Sequence, residues 1–146
     1  VLLVDADQSN LKELQSALAA LDPPFVALGV AKPEVEAWLA AMLVHRSDLV
    51  ERRNAISADI GFDPVTSSER LTAGRPGLRD AKAVLRRLVL DELGKASALE
   101  PPAVASICEA VPDRDAVRQV GKANQLDAFF HTIQATLDAV FPAPGA

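Results

Sequence analysis

Two aspartates, Asp5 and Asp7, stand two residues apart at the end of the short apolar run Val1-Leu2-Leu3-Val4. On extended chain that spacing sends both side chains the same way, about 6 to 7 Å apart. Carboxylates so placed can share a hard divalent cation, and Mg²⁺ favours such oxygen ligands together with waters and phosphate oxygens. The plain alternative is that Asp5 ends a strand and Asp7 caps the helix after it. Glu34 and Glu36 open a helix that follows a second apolar run. In open α/β sheets ligands bind outside the carboxyl ends of the strands, so these glutamates belong to the same end as the aspartates. Glu36 is the candidate to complete or support a metal site; the ordinary role of both is to oppose a helix dipole.

A basic stripe is the third feature. Arg79, Lys82 and Arg86 recur at i, i+3 and i+7, with Arg75 before them and Arg87 beside them. In that pattern they are candidate contacts to nucleic-acid phosphates, set against the commoner role of a solvated helix face. Asp80 reads as an acid that pairs with a neighbour, and Trp38 as a core residue rather than a base-stacking one.

Several chemistries are excluded. A single cysteine, Cys108, lies among apolar residues and reads as a small core residue, and His45 and His131 have no ligand spacing. A Cys/His zinc site is therefore ruled out, and any metal is held by oxygen. No phosphate-binding Gly-rich loop, dinucleotide fingerprint or serine nucleophile elbow occurs. The net charge of −5 argues against a domain that binds nucleic acid by overall charge and leaves only a local stripe. Uncharged apolar runs fall far short of the ~20 residues of a membrane span, so the expected location is the cytoplasm.

The elements that must position these residues follow from periodicity. With 146 residues, 49% of them hydrophobic, the chain is expected to form one α/β domain over 1–146. Residues 1–45 read as β-α-β-α, with strands over Val1–Val4 and Phe25–Val30. Asn10 and Glu13 form a capping box for a helix with a Leu11, Leu14, Leu18, Leu21 stripe. Pro33 suits the first position of the next helix, where Val35, Trp38, Leu39 and Met42 recur, and helix continues with a break to Ile56. Gly, Pro, Ser and Thr crowd 57–77 into a long loop, of a kind that is commonly functional or mobile. Residues 78–141 are helical, with starts at Leu78, Pro101-Pro102 and Pro112-Asp113 and a last helix carrying Leu126, Phe129, Phe130, Ile133, Leu137, Val140 and Phe141.

Two strands alone make no stable parallel sheet, and the first is apolar on both faces like a central strand. Strands upstream of Val1, or a partner chain, are therefore expected to complete the sheet, and the missing initiator Met favours the former. A homodimer stays open.

The run Val-Leu-Leu-Val-Asp-Ala-Asp, Ala31-Lys32-Pro33-Glu34-Val35-Glu36-Ala37-Trp38-Leu39, Arg79-Asp80-Ala81-Lys82 and the helix with Phe129-Phe130 together resemble an uncharacterised prokaryotic Toprim-like family, a domain of unknown function. That family is similar to the Toprim parts of RloB-type and overcoming-lysogenisation-defect nucleases in phage defence. The resemblance implies a Toprim-like parallel sheet core flanked by helices, and Mg²⁺-dependent chemistry on nucleic-acid phosphodiesters. It matches Asp5 and Asp7 to the metal-holding Asp-x-Asp, and Glu36 with Trp38 to a Glu-x-Trp feature, Glu36 being the catalytic candidate. The family's first glutamate has no counterpart here and is expected upstream of Val1, so this stretch alone would be inactive. Two other readings stand beside it. One is a non-catalytic partner- or nucleotide-binding domain. The other is a receiver-like signalling domain, against which no apolar strand precedes Asp48 or Asp59.

Overall fold

The computed structural model describes residues 2–5, 10–21, 26–93, 101–109 and 111–142. Strands β1 (Leu2–Asp5) and β2 (Leu28–Ala31) pair in parallel, Leu2 opposite Leu28 and Asp5 opposite Ala31. They are the whole of the sheet among the described residues. The fold is thus mixed α/β and mainly helical. β1 is not covered on both faces as its composition predicts, since Leu3 is 45% exposed.

Between the strands runs α1 (Leu11–Ala19), which buries no residue, and Asn10 makes no side-chain capping bond to it. The expected capping box does not form, and the leucine stripe is at most half-buried.

Helix α2 (Val35–Met42) is the centre of the molecule. Six of its eight residues, Glu36 to Ala41, are buried. Alanines at 37, 40 and 41 let neighbouring elements approach it from two sides, and each side has its own core. On one side Ala37, Leu39 and Ala40 pack with Ile56 and Ile60 of α3 (Val50–Ile60) and with Val84, Leu85 and Leu88 of α4 (Ala81–Leu93). On the other, Trp38 and Ala41 meet Ala31 of β2, Val117 of α6 (Arg114–Val120) and Leu126 and Phe129 of α7 (Leu126–Val140). Helix α5 (Pro101–Glu109) adds Ile107 to the first core.

Close approach explains one glycine. A Cβ on Gly29 of β2 would lie 2.6 Å from Leu3 Cδ2 and 2.8 Å from Phe129 Cδ2, so only glycine lets α7 lie on the strand. The Phe129 ring then stacks on Trp38 at 5.1 Å between centroids.

Several boundaries differ from the sequence-based expectation. Pro33 lies two residues ahead of α2 rather than at its first position, because Glu34 is extended and Val35 begins the helix. The continuation to Ile56 is broken into 3-10 turns at Leu43–His45 and Ser47–Leu49 before α3, which runs on to Ile60. Gly61, at φ +84°, then stops it in the left-handed conformation. The connection that follows is not slack. Phe62, Pro64, Val65, Ser68 and Leu71 are buried in it. Asp63 Oδ1 accepts the Val65 N–H at 2.8 Å, and Thr72 forms a bridge with Asp80. Burying those apolar side chains ties the segment down against its turn-forming composition. Leu78, expected inside a helix, is 62% exposed ahead of α4. Asp113 caps α6 by accepting the Ala116 N–H at 3.0 Å, as its place after Pro112 predicts. Among the described residues no helix is long and apolar enough to cross a membrane.

Candidate active site

The parallel pairing brings the carboxyl ends of β1 and β2 to one rim, and α2 starts there. Asp5 is the last residue of β1, and its Oδ1 accepts the Val35 N–H at 3.0 Å. This carboxylate caps α2 across 30 residues of sequence, satisfying one of the free N–H groups of the helix start. Asp5 thus ends β1, as the plain alternative has it, and also caps α2, a role not expected of it; the bond engages one of its two oxygens. Asp7 lies outside the described residues.

Glu34 and Glu36 flank the start of α2 and both are buried, at 3% and 7% exposure. Dipole compensation by solvated first-turn acids does not describe them. Glu34 Oε2 lies 3.8 Å from Lys82 Nζ, and Glu36 Oε1 lies 3.9 Å from the same nitrogen. Both separations are ion pairs too long for hydrogen bonds. Glu34 Oε1 is buried with no hydrogen-bond partner. Burial, and then the neighbouring Glu36, push the Glu34 pKa up to about 7; Lys82 opposes the rise, and Asp80 and Asp5 add to it. Asp5, Glu34, Glu36 and Asp80 thus bring four carboxyl groups to one rim, and the Glu34 pKa is raised there to about 7.

The basic residues divide. Lys82 stands in the first turn of α4 with its side chain 47% exposed and its ammonium between the two glutamates. Arg86, one turn on, is exposed. Arg79 is not on the helix, which starts at Ala81; its guanidinium lies 5.5 Å from the centre of the Phe62 ring, beside Arg70 at 4.4 Å. The stripe is therefore a helical pair plus a loop arginine. Asp80, expected to pair with a neighbour, caps α4 by accepting the Ala83 N–H at 2.9 Å.

Sequence reasoning preferred Glu36 to Glu34 and passed over Asn124. Glu34 is the more buried glutamate and has an oxygen without a partner, although Glu36 fitted the local pattern; only its place between a strand end and a helix start hinted at this. Asn124 is a buried hub. Its carbonyl oxygen accepts from Trp38 Nε1 at 2.6 Å and from the Lys32 N–H at 3.3 Å. Its amide donates to Ser68 Oγ at 2.8 Å, and its side-chain oxygen accepts the Leu126 N–H at 3.1 Å. These bonds fix the β2–α2 turn, and hence Glu34, to α7. They also place Trp38 in the core, as expected of it.

Cys108 is exposed rather than a core residue, its thiol 3.9 Å from Met42 Sδ. Both ring nitrogens of His45 are buried without a partner, while His131 is exposed and touches Arg118 and Asp127.

The oxygen-only donor set and the orphaned Glu34 oxygen suit a hard cation in kind. Among the described residues, however, no three His, Cys, Asp or Glu side chains are arranged to hold a metal ion. No family model, no curated protein and no solved structure matches the chain.

Proposed function

We propose that this rim carries out divalent-cation-dependent phosphodiester chemistry on nucleic acid, in the manner of a Toprim-like nuclease. The observation that carries the reading is the pair of buried glutamates at the carboxyl ends of two parallel strands, one with an unpartnered oxygen and both sharing a single lysine. Desolvated like charges cost stability, and a functional site is the common reason for keeping them.

In this reading Asp5 and Asp7 hold Mg²⁺, with Glu36 orienting the group. When bound, the ion supplies charge stabilisation for phosphate oxygens and a more acidic water. Glu34 moves the proton. A carboxyl with a pKa of about 7 is matched to acid-base work near neutral pH, and its burial keeps bulk water from levelling that value. Glu36 is the carboxylate beside it that raises the Glu34 proton affinity. Lys82, Arg86 and Arg79 line the approach with positive charge for the phosphate backbone.

The test is cleavage of single- and double-stranded DNA and RNA with and without Mg²⁺, by the wild-type chain, Glu34→Gln and Glu36→Gln. Cleavage that needs the cation and falls at least ~100-fold in Glu34→Gln is the expected result. Undiminished cleavage in both variants contradicts it.

A second reading is a binding domain that holds a partner or nucleotide without cutting. It is favoured by the Asp5 oxygen already committed to Val35. Calorimetry with Mg²⁺ separates the two, since heat of binding belongs to the first and its absence to the second.

A further inference from the structure

We propose that Arg70 and Arg79, laid against the ring of Phe62, form a phosphate-binding site that grips the backbone of a nucleic-acid strand. The inference rests on the reading of the chain as one that acts on nucleic acid, and it adds Arg70, a residue outside the basic stripe. The Arg70 guanidinium lies 4.4 Å and that of Arg79 5.5 Å from the centre of one ring, and Phe62 itself is buried. Both arginines are exposed, and among the described residues neither makes a hydrogen bond or an ion pair through its side chain. Other arginines of the chain meet acids: Arg53 pairs with Asp63, Arg87 with Asp59 and Arg118 with Asp127. Asp80, next to Arg79, accepts the Ala83 N–H instead, and Glu69, next to Arg70, forms no ion pair with either guanidinium. In a chain with 20 acids against 15 lysines and arginines, two guanidiniums that share a ring but no carboxylate leave positive charge for an anion from outside.

The fold holds this pair in place. Arg70 ends a 3-10 turn, Ser68–Arg70, between the buried Ser68 and Leu71. The Thr72 N–H donates to the Arg79 carbonyl at 2.9 Å, which joins the two stretches that carry the arginines. The Arg79 guanidinium also lies over Gly61, where a Cβ would come within 3.9 Å of Nη2. That is the carboxyl end of α3, whose dipole favours a cation. Contact with the ring restrains both side chains and leaves their N–H donors unpaired. A guanidinium presents five such donors in a planar fork that matches phosphate, and restraining it beforehand lowers the entropy lost on binding. Two guanidiniums within 5.5 Å of one ring centre can meet one phosphate or successive phosphates of a strand. Such contacts read no base, so the site holds a strand by its backbone whatever its sequence.

The test is binding of a short fluorescein-labelled DNA strand over a range of salt, in EDTA so that nothing is cut. The proteins are the wild-type chain, Arg70→Gln, Arg79→Gln and Arg114→Gln, the last an equal change of charge on α6. A second arm follows the arginine ¹H–¹⁵Nε resonances of the wild type as the strand, or inorganic phosphate, is added. Arg70→Gln and Arg79→Gln are each expected to weaken binding and to lower the slope of log K against log salt by about 1, with Arg114→Gln unchanged. The strand should shift the Nε resonances of Arg70 and Arg79. Strand binding whose slope is the same in wild type, Arg70→Gln and Arg79→Gln overturns the site and leaves the nucleic-acid reading standing; the arginines then only pack on Phe62 and the end of α3. Shifts with inorganic phosphate but none with the strand overturn the strand as the ligand, and the nucleic-acid reading with it. No strand binding and no shift with phosphate overturn both.

Discussion

Two carboxylates at the edges of the same core have opposite fates. Asp63, in the connection after α3, has both oxygens used: Oδ1 accepts the Val65 N–H at 2.8 Å and Oδ2 pairs with Arg53 Nη2 at 2.5 Å. Although desolvation is the largest influence and raises it, the Arg53 pair and the Val65 bond together hold its carboxyl below the usual range. Glu34 is more buried, has one oxygen without a partner, and is pushed up to about 7. Asp63 is a structural acid whose charge the fold satisfies. Glu34 is an acid that the fold leaves with Oε1 unpartnered and with Lys82 3.8 Å from Oε2, beyond hydrogen-bond distance.

The comparison breaks most directly under Glu34→Gln. Cation-dependent cleavage should fall by about 10² to 10⁴, the range for a lost acid-base group, with the fold intact by circular dichroism. A structural role alone would leave the rate unchanged. Asp63→Ala should do the reverse. It strands Arg53, whose side chain is 14% exposed, and frees the Val65 N–H. A stability loss of about 2 to 3 kcal/mol in urea unfolding is expected, with cation binding retained.

The pH dependence sharpens the contrast. Glu34 has a folded pKa raised from 4.5 to about 7, so the folded chain binds the extra proton between those values. Stability from this group is therefore full below pH 4.5 and is lost as pH rises to 7, by roughly 1 to 3 kcal/mol. Asp63 is lowered, so its contribution is present above its ordinary value of 3.8 and disappears as pH falls further. Urea midpoints measured from pH 4 to 8 should decline for wild type and stay flatter for Glu34→Gln. The smallest effect concerns the support behind the rim. Trp38→Phe keeps the apolar packing on Phe129 but removes the bond to Asn124, and a loss of about 1 kcal/mol is expected.

The sequence carried the parts of this picture that depend on period and punctuation. Two apolar runs ending in polar residues became paired strands, and the Asp113 cap lies where its residue predicts; α7 forms over the apolar stripe from Leu126 to Val140, but Leu137, Val140 and, past the helix, Phe141 are exposed. It was silent where long-range packing decides. The stretch 57–77 reads as a long loop from its Gly, Pro, Ser and Thr content, yet α3 runs on to Ile60, and Phe62, Val65 and Leu71 are buried. Cys108 sits among apolar neighbours in sequence but on the outward side of α5. At the rim, the sequence singled out Asp5, Glu36 and Lys82, which the fold brings to one end of the sheet. It could not rank Glu34 above Glu36, because the burial of both acids and the unpartnered Oε1 of Glu34 are set by elements distant in sequence. Nor does anything near Asn124 foretell that it ties together Lys32, Trp38, Ser68 and Leu126.

The side-chain ¹³C resonance of the Glu34 carboxyl, followed across a pH titration of the wild-type chain, tests the contrast between Glu34 and Asp63 most directly. A midpoint at about 7 is the predicted result for a buried acid with an unpartnered oxygen. A midpoint near 4.5 would contradict the account.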